Sequence, residues 1–148
     1  MESKEYLESY RMIQARLHVL TAEIERLRAE AESVSINLDG MPHGTGTADK
    51  TARLAVQLAE METQMQEEMS SLWSKRMRII NMLGKMKSHK HQTLLHKRYI
   101  ECKSWEVIAY EMDISWRHCY RLHGSALNEF GEVLEGGGNI GNLETNKQ

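Results

Sequence analysis

The chain begins with apolar side chains at alternating steps of four and three residues. The series contains eight positions: Tyr6, Tyr10, Ile13, Leu17, Leu20, Ile24, Leu27 and Ala31. A repeat of 3.5 residues keeps one apolar stripe on a single side of a helix, where it faces a partner helix. A helix with such a narrow stripe gains little stability alone and needs packing to persist. The pattern therefore predicts a long helix with a coiled-coil face that another helix covers.

A second long helix follows a break in this pattern. Residues 33–48 contain the chain's single Pro and three Gly, which interrupt helices. Beyond them, apolar residues recur mostly at steps of three and four: Leu54, Leu58, Met61, Met65, Met69, Leu72, Ile79 and Leu83. Folding this helix antiparallel on the first covers both stripes. We therefore expect residues 1–87 to form a helical hairpin of the coiled-coil type, with a connector at 33–48.

The same helices can also pair between chains. A hairpin of only two helices leaves much apolar surface in water, and covering that surface is favourable. We therefore expect a homo-oligomer, most simply a dimer. The sequence leaves open whether the two apolar stripes pair within one chain or between two.

The composition favours helices in the rest of the chain as well. Its 148 residues include one Pro, one Phe and ten Met, and Glu, Leu, Ala and Arg are common. These residues are good helix formers, whereas the aromatic and β-branched residues typical of strands are sparse. We therefore expect an all-α protein. No run approaches the ~20 apolar residues of a membrane span, and the polar start MESKEYLESY is unlike a signal peptide, so we expect a cytoplasmic protein without membrane contact.

Charge is strongly segregated along the chain. Residues 1–71 hold 7 Lys or Arg and 13 Asp or Glu, a net charge of −6. Residues 72–124 hold 11 and 4, a net charge of +7, together with five of the seven His. The last 24 residues carry −3. A basic block of this kind is expected of a module that binds a polyanion, although a solvated helix surface can carry the same charge.

Within the basic block, the spacing predicts two short helices joined by a tight turn. Ser104 can cap the first helix and Ser115 the second, with Asp113 and Ile114 in the turn between them. Apolar positions then face inward on both helices: Trp105, Ile108, Ala109, Met112, Cys119, Leu122 and Ala126. A preceding helix adds Leu94, Leu95, Tyr99 and Ile100. We therefore expect a tri-helical helix-turn-helix module at 88–130, followed by a flexible Gly- and Asn-rich tail at 131–148.

The second of these helices offers polar and cationic side chains from its first two turns, as a helix that enters the major groove of DNA does. The candidate DNA-binding residues are Lys103, Ser104, Ser115, Trp116, Arg117, His118, Tyr120 and Arg121. Arg117 and Arg121 can meet guanine edges. Lys103 and Ser104, with Lys97 or Arg98, would contact phosphates. His118 suits either kind of contact. Trp116 would pack on thymine methyl groups or sugars, or else cover the turn and Met112.

The sequence gives little support for a metal site or for an enzyme active site. His89, His91, His96 and Cys102 lie close in sequence, but no second Cys or carboxylate follows at a zinc-finger spacing, so we expect no metal site. The chain also has no phosphate-binding loop, no dinucleotide fingerprint and no nucleophile with a matching base. We therefore expect neither an enzyme nor a cofactor.

The segment LLHKRYIECKSWEVIAYEMDISWRHCYRLHGSAL resembles region 4 of bacterial sigma factors, including the R-Y-x-x-x-x-S-x-x-x-I-A pattern before the second helix. Over roughly residues 5–130 the layout more closely resembles the ArpU/RinA-like late transcription regulators of Gram-positive phages. That resemblance rests on the YLESY start, the LDGMPHGTGTADK loop and the run RYIE…SW…IA. It implies binding to promoter DNA and activation of phage late genes in the cytoplasm of the bacterial host.

Two other functions fit the same pattern. A small terminase subunit also joins a helix-turn-helix to coiled-coil helices and recognises packaging DNA, although such proteins usually place the DNA-binding part first. An interaction protein could instead use the module to contact RNA polymerase or a host factor, because sigma region 4 touches both polymerase and promoter. The acidic first segment suits a protein contact better than a DNA contact. Our principal expectation is a sequence-specific DNA-binding transcription regulator that binds double-stranded DNA.

Overall fold

The computed structural model describes residues 2–37 and 45–140, and these ranges contain helices and no strand. The helices are α1 (Ser3–Asn37), α2 (Thr45–Gly84), α3 (His89–Leu95), α4 (Trp105–Met112) and α5 (Trp116–Ile140), and a π-helical turn (His96–Ile100) continues α3. The all-α class expected from the sequence is confirmed. None of the described helices is both long and apolar enough to cross a membrane.

The chain divides into two compact units. Residues 13–72 form one, which we call the hairpin unit. The described residues within 1–12 and 73–148 form the other, which we call the helix-turn-helix unit. The sequence placed a boundary between 87 and 88, whereas the structure assigns both ends of the predicted hairpin to the helix-turn-helix unit.

Burial at the start of α1 and the end of α2 explains this assignment. Within the helix-turn-helix unit, four side chains from these two segments are buried: Leu7, Tyr10, Ile79 and Leu83. The ring of Tyr6 lies 6.1 Å from that of Phe130 in α5, and Phe130 is fully buried. These segments therefore complete the core around α5, which the three short helices alone would leave partly uncovered.

In the hairpin unit, α1 and α2 run antiparallel. Arg16 forms an ion pair with Glu68 at 3.0 Å. Arg28, further along α1, pairs at 2.7 Å with Glu62, which comes earlier in α2. The order of partners is thus reversed between the helices. Among the side chains of this unit that the structure describes, the buried ones are Leu20, Ile24, Leu27 and Leu54.

The predicted heptad stripe of α1 faces inward along its whole length, since all eight of its positions are buried or half-buried. On α2 the predicted stripe is also covered, except at Met69, which is 51% exposed. The sequence steps slip out of phase in this part of α2, so Met69 turns away from the covered side. The hairpin predicted from the periodicity is therefore present, with one position misassigned.

Both long helices extend further than the sequence predicted. The connector was expected at 33–48, but α1 continues to Asn37 and α2 begins at Thr45. Residues 38–44 lie outside the described residues. Near the C-terminal side of the sequence, α5 runs to Ile140, although a flexible tail was predicted from residue 131. Residues 141–148 lie outside the described residues.

The extension of α5 follows from apolar residues that continue its inward face past the predicted end of the module. Phe130 is fully buried, and Val133 and Leu134 are half-buried. Gly131 packs so closely on α1 that an added Cβ would lie 2.8 Å from the Ser3 hydroxyl oxygen. Packing therefore accounts for α5 as far as Leu134, whereas Gly136 and Gly137 beyond it are exposed.

The core of the helix-turn-helix unit matches the sequence prediction closely. Every position expected to face inward on the three short helices is buried or half-buried. The buried members are Leu94, Leu95, Tyr99, Ile100, Ile108, Ala109, Cys119 and Ala126. This core fixes α3, α4 and the first turns of α5 as one body.

Candidate nucleic-acid interface

The turn between α4 and α5 is a helix-ending motif with a left-handed residue. Asp113 follows the last residue of α4 with φ 54° and ψ 49°. The Ile114 N–H then donates to the Ala109 carbonyl at 3.0 Å, and the Asp113 N–H donates to the Tyr110 carbonyl at 3.2 Å. This is the Schellman pattern, which satisfies the last carbonyls of a helix and turns the chain sharply. It allows α5 to begin with only three residues between it and the end of α4.

Two serines start the helices on either side of this turn. The Ser104 hydroxyl accepts a hydrogen bond from the Val107 N–H at 3.3 Å. The Ser115 hydroxyl accepts one from the His118 N–H at 3.1 Å. Both are the N-caps that the sequence predicted. Their hydroxyls are thus engaged in positioning α4 and α5.

The first two turns of α5 present an exposed face. Arg117 and Arg121 are exposed and four residues apart, so their side chains leave the helix on the same side. No carboxylate in the described part of the chain pairs with either guanidinium. Trp116 is 48% exposed and Tyr120 46%. Together with the exposed His118, these residues form what we call the α5 face, and they are the ones expected from the sequence to project outward.

An aromatic cluster supports the α5 face from the side of α4. The ring of Trp116 lies 5.0 Å from that of Tyr120, in an edge-to-face arrangement. Tyr120 in turn lies 5.5 Å from Trp105 at the start of α4. The rings of Trp105 and His123 are in an edge-to-face arrangement, with their centres 4.6 Å apart. Side-chain contacts of this kind restrict the orientations of the exposed rings.

Arg98 is part of this cluster. Its guanidinium lies 4.5 Å from the centre of the Trp105 ring, a cation–π distance. Its Nη1 donates to the Lys103 carbonyl at 3.0 Å. From the sequence, Arg98 was one of two candidates for a phosphate contact. In the structure, this side chain holds the segment before α4 against Trp105. In the sequence, the only sign of this contact is that Arg98 and Trp105 are seven residues apart. That spacing alone does not predict a contact.

Beneath the cluster lies a buried pair, Tyr99 and His123. Tyr99 Oη and His123 Nε2 are 2.9 Å apart, and His123 is 9% exposed. Burial, followed by the nearby charges of Lys4 and Arg98, lowers the pKa of His123 to about 4. Burial also raises the pKa of Tyr99 to about 12. Both groups are therefore uncharged at neutral pH, as a low-dielectric core requires.

The two lysines proposed for phosphate contact are held by one carboxylate. Lys103 Nζ lies 2.8 Å and 2.9 Å from the two Glu111 oxygens, and Lys97 Nζ lies 2.5 Å from one of them. The hydrogen bonds from Lys103 and Lys97 lower the pKa of Glu111, and the same contact raises the pKa of Lys103. A phosphate bound at Lys103 would have to compete with Glu111. The ion pairs join the segment before α4 and the π-helical turn to α4.

The histidines and the cysteine considered for zinc are not gathered around one point. Among the described residues, no group of three His, Cys, Asp or Glu side chains could hold a metal ion. His91 lies against Glu129 at 2.5 Å, whereas His96 lies 3.8 Å from Glu101. The two imidazoles thus have different partners.

Residues 4–132 match the family model described as protein of unknown function (DUF722). The chain belongs to the DUF722 family. The match covers most of the chain, including α4, the turn and the whole α5 face, so these features lie within the DUF722 region. That description states no activity, and the resemblance to phage late regulators and to sigma region 4 stays a prediction. No curated protein and no solved structure matches the chain.

Proposed function

We propose that the chain is a sequence-specific transcription regulator that reads the major groove of double-stranded DNA with the first two turns of α5. The observation that carries this proposal is the pair Arg117 and Arg121. They are exposed on one side of the second helix of a helix-turn-helix, and no carboxylate in the described part of the chain neutralises them. Exposed guanidiniums on the first turns of such a helix are suited to guanine edges.

The remaining contacts follow from the geometry of the module. With α5 in the major groove, His118 and Ser115 at its first turn would lie near the sugar-phosphate backbone, and Lys103 and Ser104 before α4 would meet a phosphate on the flank. Because Glu111 already holds Lys103, we expect the Lys103 contribution to be smaller than that of an unpaired lysine. Specificity would then come from α5, and the flanking contacts would fix its register.

We further propose that the regulated genes are phage late genes and that regulation is activation in the cytoplasm of the bacterial host. The sequence resemblance to ArpU/RinA-like regulators supports this part of the proposal. The exposed Tyr110 (87%) and Val107 (43%) on α4 support a contact with a second protein, for which RNA polymerase is the first candidate. In this proposal one surface of the activator contacts DNA and the other contacts polymerase.

We propose that two copies act together. In the hairpin unit, Val19 is 67% exposed and Val56 is 58% exposed. A contact between two chains that removed these side chains from water would be favoured by the hydrophobic effect. Two linked modules would bind two half-sites with an affinity increased by their effective concentration.

Light scattering distinguishes this arrangement from the ring of a small terminase subunit, because a ring gives a mass of many chains and a dimer gives that of two.

The DNA-binding proposal is tested by selecting duplexes from a pool with a randomised centre and titrating the full chain with the enriched duplex. A duplex of the same length and shuffled sequence is the control, and both titrations are repeated at several salt concentrations. We expect tighter binding to the enriched duplex and a logarithmic salt slope of about −0.9 for each phosphate contacted. Equal and weak binding to both duplexes would contradict sequence-specific recognition.

A further inference from the structure

Two of the exposed side chains on the α5 face are aromatic. Trp116 and Tyr120 are four residues apart, and their rings are in edge-to-face contact at 5.0 Å. About half of each side chain is exposed, although both carry large apolar surfaces. Leaving such surface in water has a cost that a ligand would remove. An occupant of this pair would have to match the chemistry of both the rings and their neighbours.

The pair is held in place from behind. The ring centres of Tyr120 and Trp105 are 5.5 Å apart, and the Trp105 ring also contacts the Arg98 guanidinium at 4.5 Å and the His123 ring at 4.6 Å. The contacts of Tyr120 with Trp105 and of Trp116 with Tyr120 therefore restrict the exposed rings already in the free protein. A contact made by preorganised rings incurs little further loss of entropy on binding.

The neighbours of the pair identify the kind of occupant. Arg117 and Arg121 are interleaved with the two aromatic residues in the first two turns of α5, and no acidic side chain in the described ranges pairs with them. An occupant must therefore carry negative charge beside small apolar groups. The major groove of duplex DNA has this combination, because phosphates line it and each thymine projects a C5-methyl group into it.

We propose that Trp116 and Tyr120 form an apolar surface that contacts thymine methyl groups, so that the chain prefers thymine at positions flanking the guanines read by Arg117 and Arg121. This inference rests on the proposed function and adds a base preference to it. It also assigns Trp105, which contacts Tyr120, and Arg98, which contacts Trp105, as positioning residues.

The test uses the duplex enriched on the full chain, resynthesised with deoxyuridine in place of thymidine at one position at a time. Uracil keeps the base pair and lacks only the methyl group. We expect the affinity of the unmodified chain to fall about fourfold at each contacted position, because this is the effect of burying one carbon group such as a methyl. We expect Trp116→Ala to bind more weakly and to lose this discrimination at one or more positions.

Trp73→Ala is the matched control. Trp73 is an exposed tryptophan (65%) in α2, and its removal should leave the discrimination between thymine and uracil unchanged. If the unmodified chain binds the enriched duplex equally well with uracil at every position, the thymine contact is overturned while DNA binding stands. The same holds if Trp116→Ala discriminates as the unmodified chain does.

The failure of the proposed function gives a different result. In that case no duplex is enriched, and binding to every duplex is weak and equal. The uracil comparison on the unmodified chain requires no variant, so a folding defect in Trp116→Ala leaves it valid. Circular dichroism of each variant identifies such a defect.

Discussion

Nδ1 of His91 lies 2.5 Å from the carboxylate of Glu129, and this contact ties α5 to the first turn of α3. The same carboxylate accepts hydrogen bonds from the backbone N–H of Lys87 at 2.6 Å and of Ser88 at 3.2 Å. One side chain of α5 thus accepts hydrogen bonds from three donors at the start of α3. These hydrogen bonds, that of His91 first, lower the pKa of Glu129. The orientation of α5 relative to the rest of its unit depends on this carboxylate.

Replacing Glu129 with Gln should destabilise the helix-turn-helix unit. An amide oxygen accepts more weakly than a carboxylate, and the N–H groups at the start of α3 lose a charged partner. We expect the free energy of unfolding at pH 7 to fall by about 1–2 kcal/mol, measured by urea denaturation. Glu132→Gln, at an exposed position of the same helix, is the control. Equal stability of the two variants would show that the Glu129 contacts contribute little.

The buried His123 should make stability depend on pH. Its pKa is about 4 in the folded chain and about 6.5 in an unfolded one. The unfolded state therefore binds the proton first, and stability present above pH 6.5 is lost as the pH falls towards 4.

We expect the free energy of unfolding to fall by about 2 kcal/mol between pH 7 and pH 5 through this group. His123→Gln keeps a polar group opposite Tyr99 but cannot titrate, so it should show a smaller fall over the same range. Urea denaturation at the two pH values measures both. If the variant and the unmodified chain lose the same stability, His123 is not the group responsible.

Asp113 should tolerate glycine better than a β-branched residue. Its φ of 54° lies in the left-handed region, which strains most side chains and which glycine adopts freely. We expect Asp113→Gly to be at least as stable as the unmodified chain and Asp113→Val to be less stable than Asp113→Gly by about 1–2 kcal/mol. Thermal unfolding of the two variants provides the comparison. Equal stability would mean that the turn between α4 and α5 relaxes to another conformation.

The sequence predicted the helix-turn-helix well because its determinants are local or periodic. Ser104 and Ser115 cap helices through N–H groups three residues away, and caps are recognisable from residue type. Ile108 and Cys119 are buried where a helical period requires it. The outward direction of Arg117 follows from the same period.

Contacts between segments far apart in the chain could not be predicted in this way. Nothing in the pattern indicated that Glu111 would hold Lys103 or that Phe130 would pack on Tyr6. Each of these contacts depends on how helices cross and which rotamers fit, and one sequence does not give that information. For this reason the unit boundary, the length of α5 and the surroundings of Lys103 all differ from what the sequence predicted.

Affinity measurements on Arg→Gln variants test most directly whether the α5 face reads bases. Arg117→Gln and Arg121→Gln are each titrated with the enriched duplex and with its shuffled control. Arg78→Gln, which removes an exposed arginine of α2, is the matched variant. We expect each α5 variant to lose about 1–3 kcal/mol of binding on the enriched duplex and much less on the shuffled one, while Arg78→Gln keeps the preference. Equal losses on both duplexes, or no loss at all, would contradict base recognition by α5.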